Sequence, residues 1–96
     1  MTLNDALSFV RAELTRAQAT YPAFHSGHEG YAVIREELDE LWSAVKAEKS
    51  CRHYTGQPAL EAVQVAAMAI RFLVDVCEAD ASDFIGGYAR SRSDTR

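Results

Sequence analysis

The stretch from Pro58 to Cys77 limits the fold more than any other part of the chain. Val63, Val65, Ala66, Ala67, Ala69, Ile70, Phe72, Leu73, Val74 and Val76 would cover nearly the whole circumference of a helix built from it. Such a helix needs cover on most sides, which makes it the central element of a helical bundle. Glu61, Gln64, Arg71 and Asp75 interrupt the apolar surface. They make the segment a poor membrane span, so no transmembrane segment is expected. At about 100° per residue the four fall on one narrow strip, broken only by Met68. A polar strip on an otherwise buried helix calls for polar partners from another helix.

The rest of the chain reads as the other members of that bundle. Asn4 or Asp5 is expected to cap a first helix running to about Thr20, with Ala6, Leu7, Val10 and Leu14 on one face and Pro22 stopping it. A loop over 23–30 leads into a second helix from about Glu29 to Lys49. Pro58 suits the first turn of the third helix, expected to reach about Glu78. Asp80 to Ile85 can form a short fourth helix before Gly86 and Gly87 break the pattern. The expected organisation is one all-α domain over 1–85 and a flexible tail over 86–96. A chain of 96 residues buries only about 60% of the surface its unfolded form exposes. A small helical bundle completed by homo-oligomerisation is therefore the expected architecture.

Charge and cysteine usage narrow the function. A formal net charge of −4 speaks against a nucleic-acid duplex as partner, the only basic cluster being Arg90, Arg92 and Arg96. The N-terminal residues carry no export signal, which makes the cytoplasm the expected location. Cys51 and Cys77 have no metal-ligand or redox spacing and read as reduced thiols. Neither a phosphate-binding glycine loop nor a nucleophile motif occurs.

The second helix supplies the partner that the strip requires. Ile34, Leu38, Leu41, Trp42 and Val45 form its apolar arc, and Glu37 lies at the edge of that arc with Glu40 beside it. Glu36 and Asp39 fall farther toward solvent. Packed antiparallel, two helices offering Glu37 with Glu40 and Glu61 with Gln64 bring up to four oxygen ligands together. Hard cations such as Mg2+ or Mn2+ favour such a set and complete their shells with water and phosphate oxygens. The plainer alternatives are a solvated acidic face over Glu36 to Glu40 and an i,i+4 ion pair between Arg71 and Asp75. His25 and His28 stand before the second helix, where either could touch a ligand. His28 and Arg71 are the candidates for contacts to substrate.

These residues carry a resemblance. Glu36-Glu37-Leu38-Asp39-Glu40 looks like the EExxE motif of the MazG-like, all-α NTP pyrophosphatase superfamily, and Glu61-Ala62-Val63-Gln64 falls where that family places its ExxD. The similarity covers roughly residues 24–76 and resembles short phage and actinobacterial members. It implies a dimeric or tetrameric bundle, Mg2+ or Mn2+, and hydrolysis of a (deoxy)nucleoside triphosphate, a purine or modified one, to monophosphate and pyrophosphate. Glu37, Glu40 and Glu61 would be metal ligands, and Glu36 a further ligand or the group that orients the attacking water. Gln64 stands where the family has a metal-binding Asp and can offer one carbonyl oxygen with less charge. A degenerate, non-catalytic subunit that binds nucleotide or protein is the alternative.

Overall fold

A computed structural model describes residues 1–48, 56–77, 81–82 and 84–87. Three long helices account for most of these: α1 (Leu3–Thr20), α2 (Gly27–Ala47) and α3 (Gln57–Val76). Residues 81–82 and 84–87 are helical too, and no strand occurs among the described residues.

Local chemistry explains the helix ends. Thr2, rather than Asn4 or Asp5, caps α1: its hydroxyl accepts from the Asp5 amide and the Asp5 carboxylate accepts from the Thr2 amide, each at 3.1 Å. Asp5 is thus the third-residue half of a capping box, which satisfies two amides at once. Ser26 caps α2 by accepting from the Glu29 amide at 3.1 Å, so the helix begins at Gly27, two residues before the expected start. It ends at Ala47, short of Lys49, where the Glu48 amide turns back to the Val45 carbonyl at 3.3 Å. Gly56 precedes α3 at φ 62°, a conformation that disfavours side chains other than glycine, and Pro58 occupies the first turn. Helical structure continues through Gly86 and Gly87. These glycines weaken a helix without forbidding it, so they do not break the pattern as expected. Residues 88–96, Lys49, Glu78 and Cys51 lie outside the described residues.

α3 is central: α1 and α2 each pack on it. α2 and α3 run antiparallel, since Gly30 faces Phe72 at one end while Glu37 faces Gln64 farther along. The shared core is slight. Ala17, Phe24, Ala67 and Met68 are buried, with Val10, Leu14, Val33, Ile34, Phe72 and Val76 packed around them, and among the described residues no large side chain is fully enclosed. Two residues expected inside the α2 arc face outward, Leu38 being 51% and Trp42 59% exposed. The apolar arc is wider than the groove that α3 offers, and α3 takes the side holding Gly30, Val33, Glu37 and Ala44. Leu7 of α1 is likewise exposed. No helix among the described residues is long and apolar enough to cross a membrane.

Candidate metal centre and adjoining cavity

The polar strip of α3 is its most deeply buried line, because it faces the groove between the flanking helices. Glu61 is 7% exposed and Arg71 4%, although both are charged. Burial at this level demands compensation, and the two ends of the strip receive it differently.

At the C-terminal end the compensation is internal. The Arg71 guanidinium lies 3.7 Å from the Asp75 carboxylate, donates from Nη2 to the Pro22 carbonyl at 2.6 Å, and stacks 4.2 Å from the centre of the Phe24 ring. Asp75 in turn accepts from the Phe24 amide at 3.0 Å. The pair therefore fastens the turn between α1 and α2 onto α3. Its Nε has no hydrogen-bond partner, the carboxylate being beyond hydrogen-bond range, so the fit is not complete.

At the N-terminal end, acids meet acids. Oxygens of Glu37, Glu40 and Glu61 all lie within 4.8 Å of one another across the α2–α3 groove. Among the described residues no lysine or arginine forms an ion pair with any of the three. The Glu37 carboxyl is held above its ordinary pKa first by burial and then by the charges of Glu40, Glu61 and Glu36. Glu40 is raised as well, first by loss of solvation and then by Glu61. Gln64 and Gln57 supply the only neutral donors seen here among the described residues. With its amide nitrogen turned toward the acids, the orientation its surroundings require, Gln64 donates to Glu37 at 2.8 Å and Glu61 at 3.2 Å. Gln57 donates to the other Glu61 oxygen.

This donor set suits a hard divalent cation. An octahedral Mg2+ with bonds of about 2.1 Å holds neighbouring oxygens about 3.0 Å apart and opposite ones about 4.2 Å apart. Modest side-chain rotation would bring the three carboxylates to that spacing, and positive charge would offset the burial and the repulsion that raise Glu37 and Glu40. Gln64 would have to turn its amide over to become a fourth oxygen ligand.

Two concavities flank the cluster. A shallow recess of about 460 Å3 is lined by Glu36, Asp39, Glu40, Ser43, Ala44, Gln57 and Glu61. A deeper cavity of about 530 Å3 opens between α1 and α2 over α3, with Glu36, Glu37 and Gln64 at its edge and Ala17, Val33 and Met68 among its apolar walls. Glu36 belongs to both, and its exposed carboxylate is free to approach either a cation or a ligand.

The structure brings Glu37, Glu40, Glu61 and Gln64 together, but Gln64 presents its amide nitrogen to the acids rather than the carbonyl oxygen expected of it. Arg71 lines the cavity but is occupied by Asp75, Pro22 and Phe24, so substrate contact is at most a second duty for it. His28 is exposed on the first turn of α2 and is not among the cavity-lining residues; His25 pairs instead with Glu29, at 3.1 Å. Sequence reasoning missed Gln57, whose i,i+4 spacing to Glu61 was a usable signal, and Glu13 and Arg16 of α1 with Tyr21 just beyond it, which look like a solvated surface in one dimension. No protein-family model matches the chain, and neither a curated protein nor a solved structure matches it.

Proposed function

We propose that this chain is a divalent-metal-dependent nucleotide pyrophosphohydrolase of the MazG-like, all-α type, converting a (deoxy)nucleoside triphosphate and water to monophosphate and pyrophosphate. The observation that carries the reading is the convergence of Glu37, Glu40 and Glu61 without a basic partner among the described residues, beside a cavity of about 530 Å3. That volume falls in the range of small-molecule sites, about 300–1,000 Å3.

Glu37, Glu40 and Glu61 would hold Mg2+ or Mn2+, drawn from both walls of one groove so that neither helix alone forms the site. When bound, such a cation supplies positive charge against phosphate oxygens and acidifies a coordinated water. Glu36, at the junction of cavity and recess, is placed to orient that water and accept its proton. Gln57 holds one oxygen of Glu61 and Gln64 the other, so both amides would help to position this ligand. Arg71 and Asp75 keep the cavity wall over 22–24 in place.

A homodimer or homotetramer is part of the reading. Leu60, Leu73 and Val74 on α3 and Leu38 and Trp42 on α2 are more than half exposed in a single chain, apolar surface that a second copy would cover. Sedimentation giving a single-chain mass would remove this element. Nucleoside triphosphates and free Mg2+ make the cytoplasm the matching compartment.

One observation favours a second reading. The Gln64 amide donates to two of the carboxylates, doing with hydrogen bonds part of what a cation would do. That arrangement suits a degenerate subunit that binds nucleotide or another protein without hydrolysis. The two readings separate when purified protein is incubated with each common ribo- and deoxynucleoside triphosphate and Mg2+ or Mn2+, and products are resolved by chromatography. The enzyme yields monophosphate and pyrophosphate, with turnover falling by about 100-fold or more in Glu37→Ala. A folded protein with no turnover of any nucleotide supports the degenerate subunit.

A further inference from the structure

Gln64 sits where the acids of α2 and α3 meet. Its amide nitrogen donates at 2.8 Å to one oxygen of Glu37 and at 3.2 Å to one of Glu61, so a single group bonds to carboxylates from both helices. The second Glu61 oxygen accepts from Gln57. Glu61 is the most deeply buried of the three acids, and both of its oxygens are engaged by amides in the metal-free protein. A nitrogen bonded to two oxygens stands between them, which is the place a cation shared by the same oxygens must take.

The amide and a cation oppose each other there. Amide hydrogens carry partial positive charge, and aimed at the acids they are aimed at any cation among them. Loading the site requires Gln64 either to withdraw or to turn over and present its carbonyl oxygen. Magnitudes decide what that exchange is worth. A hydrogen bond to a charged group is worth about tenfold or more in an equilibrium, and Gln64 makes two of them in the metal-free state. Turned over, it offers one neutral oxygen in place of one water, and a hard cation such as Mg2+ keeps several waters in any case. The loss exceeds the return.

Resting on the metal-site reading above, we infer that Gln64 is an internal competitor for the cation rather than a ligand to it. The side chain stabilises the metal-free acids, holds Glu37 and Glu61 near each other across the groove, and does so at the expense of affinity. Gln64 thereby sets the cation concentration at which the site fills. Removing a ligand weakens metal binding, whereas removing a competitor strengthens it, so the sign of the change separates the two roles.

The test is calorimetric titration of wild type, Gln64→Met and Gln64→Ala with Mn2+, together with melting curves at neutral pH in chelator and in saturating Mn2+. Methionine fills a similar volume but neither donates to the acids nor ligates a hard cation well. Alanine is the check should methionine pack poorly, and circular dichroism confirms helical content. Gln64→Met is expected to melt lower than wild type in chelator and to bind Mn2+ about tenfold more tightly. The melting difference then narrows or reverses in saturating Mn2+. Wild type that binds no Mn2+ beside a variant that does supports the inference in its strongest form. Affinity that is unchanged or lowered in both variants overturns it and leaves the metal-site reading standing, a lowered affinity making Gln64 a ligand. If neither wild type nor variant binds Mn2+, the metal-site reading falls and takes this inference with it.

Discussion

At one end of the buried strip on α3, Arg71 faces Asp75 and the two reach out to the carbonyl of Pro22, the ring of Phe24 and its amide. At the other end, Glu61 faces Glu37 and Glu40 and, among the described residues, only amide groups from Gln57 and Gln64 soften the contact. Both ends lie on the same helix face and at similar depth. A closed set of opposite charges has finished its chemistry within the chain and reads as structure. An open set of like charges leaves attraction unspent for something outside the chain, and this difference makes one end a clamp and the other a candidate site.

The comparison breaks most readily at the clamp. Arg71→Ala removes a buried cation, leaves Asp75 uncompensated and frees the Pro22 carbonyl, so a loss of about 3–5 kcal/mol is expected in urea denaturation. A loss below about 1 kcal/mol, the value of an exposed pair, would show that the clamp holds nothing together. Gly30 sharpens the packing side of the same end. A Cβ there would stand 2.6 Å from Cδ2 of Phe72 and 3.1 Å from Phe24, which presses on the ring that Arg71 covers. Gly30→Ala is expected to lower stability by about 1–2 kcal/mol, the overpacking cost exceeding the gain in helix propensity. Unchanged or raised thermal stability would mean that α2 and α3 can separate freely at this point.

The smallest effect is electrostatic and belongs to the open end. Glu37 and Glu40 have raised folded pKa values against an ordinary 4.5, so the folded state takes up protons more readily than the unfolded chain. Their contribution is fully present below 4.5 and lost as pH rises through the higher folded values. Glu29 runs the other way: paired with His25, its pKa is lowered, and its contribution is lost only as pH falls below the ordinary value. Without divalent metal, this contribution to stability should therefore decline as pH rises above 4.5 through the raised folded values. Glu37→Gln should flatten that decline in melting curves recorded across the range. A decline unchanged in Glu37→Gln would place its cause elsewhere.

Much of this contrast was legible in one dimension. Glu61, Gln64, Arg71 and Asp75 stand out because every neighbour around them is apolar, and their common spacing puts them on one line whatever the partner. Pro22 and Pro58 marked helix limits through their missing amides. Other features needed three dimensions. Arg71 meets Pro22 and Phe24 at separations of 49 and 47 positions along the chain, a contact that local spacing cannot encode. Leu38 and Trp42 share an arc with Ile34 and Leu41, and nothing within α2 decides which part of the arc α3 will take. The direction of the Gln64 amide depends on how near Glu37 comes. Glu13 and Arg16 had the look of an ordinary surface pair until the cavity beside them was seen.

The central claim is that the open end of the strip is a cation site. Free Mn2+ gives a sharp six-line electron paramagnetic resonance signal that broadens away on binding, so titrating the protein with Mn2+ at neutral pH counts bound ions directly. The account predicts saturable loss of signal in the wild-type protein and its abolition in Glu61→Gln with helical content intact. Wild-type protein that leaves the free-ion signal undiminished at millimolar Mn2+, with or without nucleotide, would contradict it.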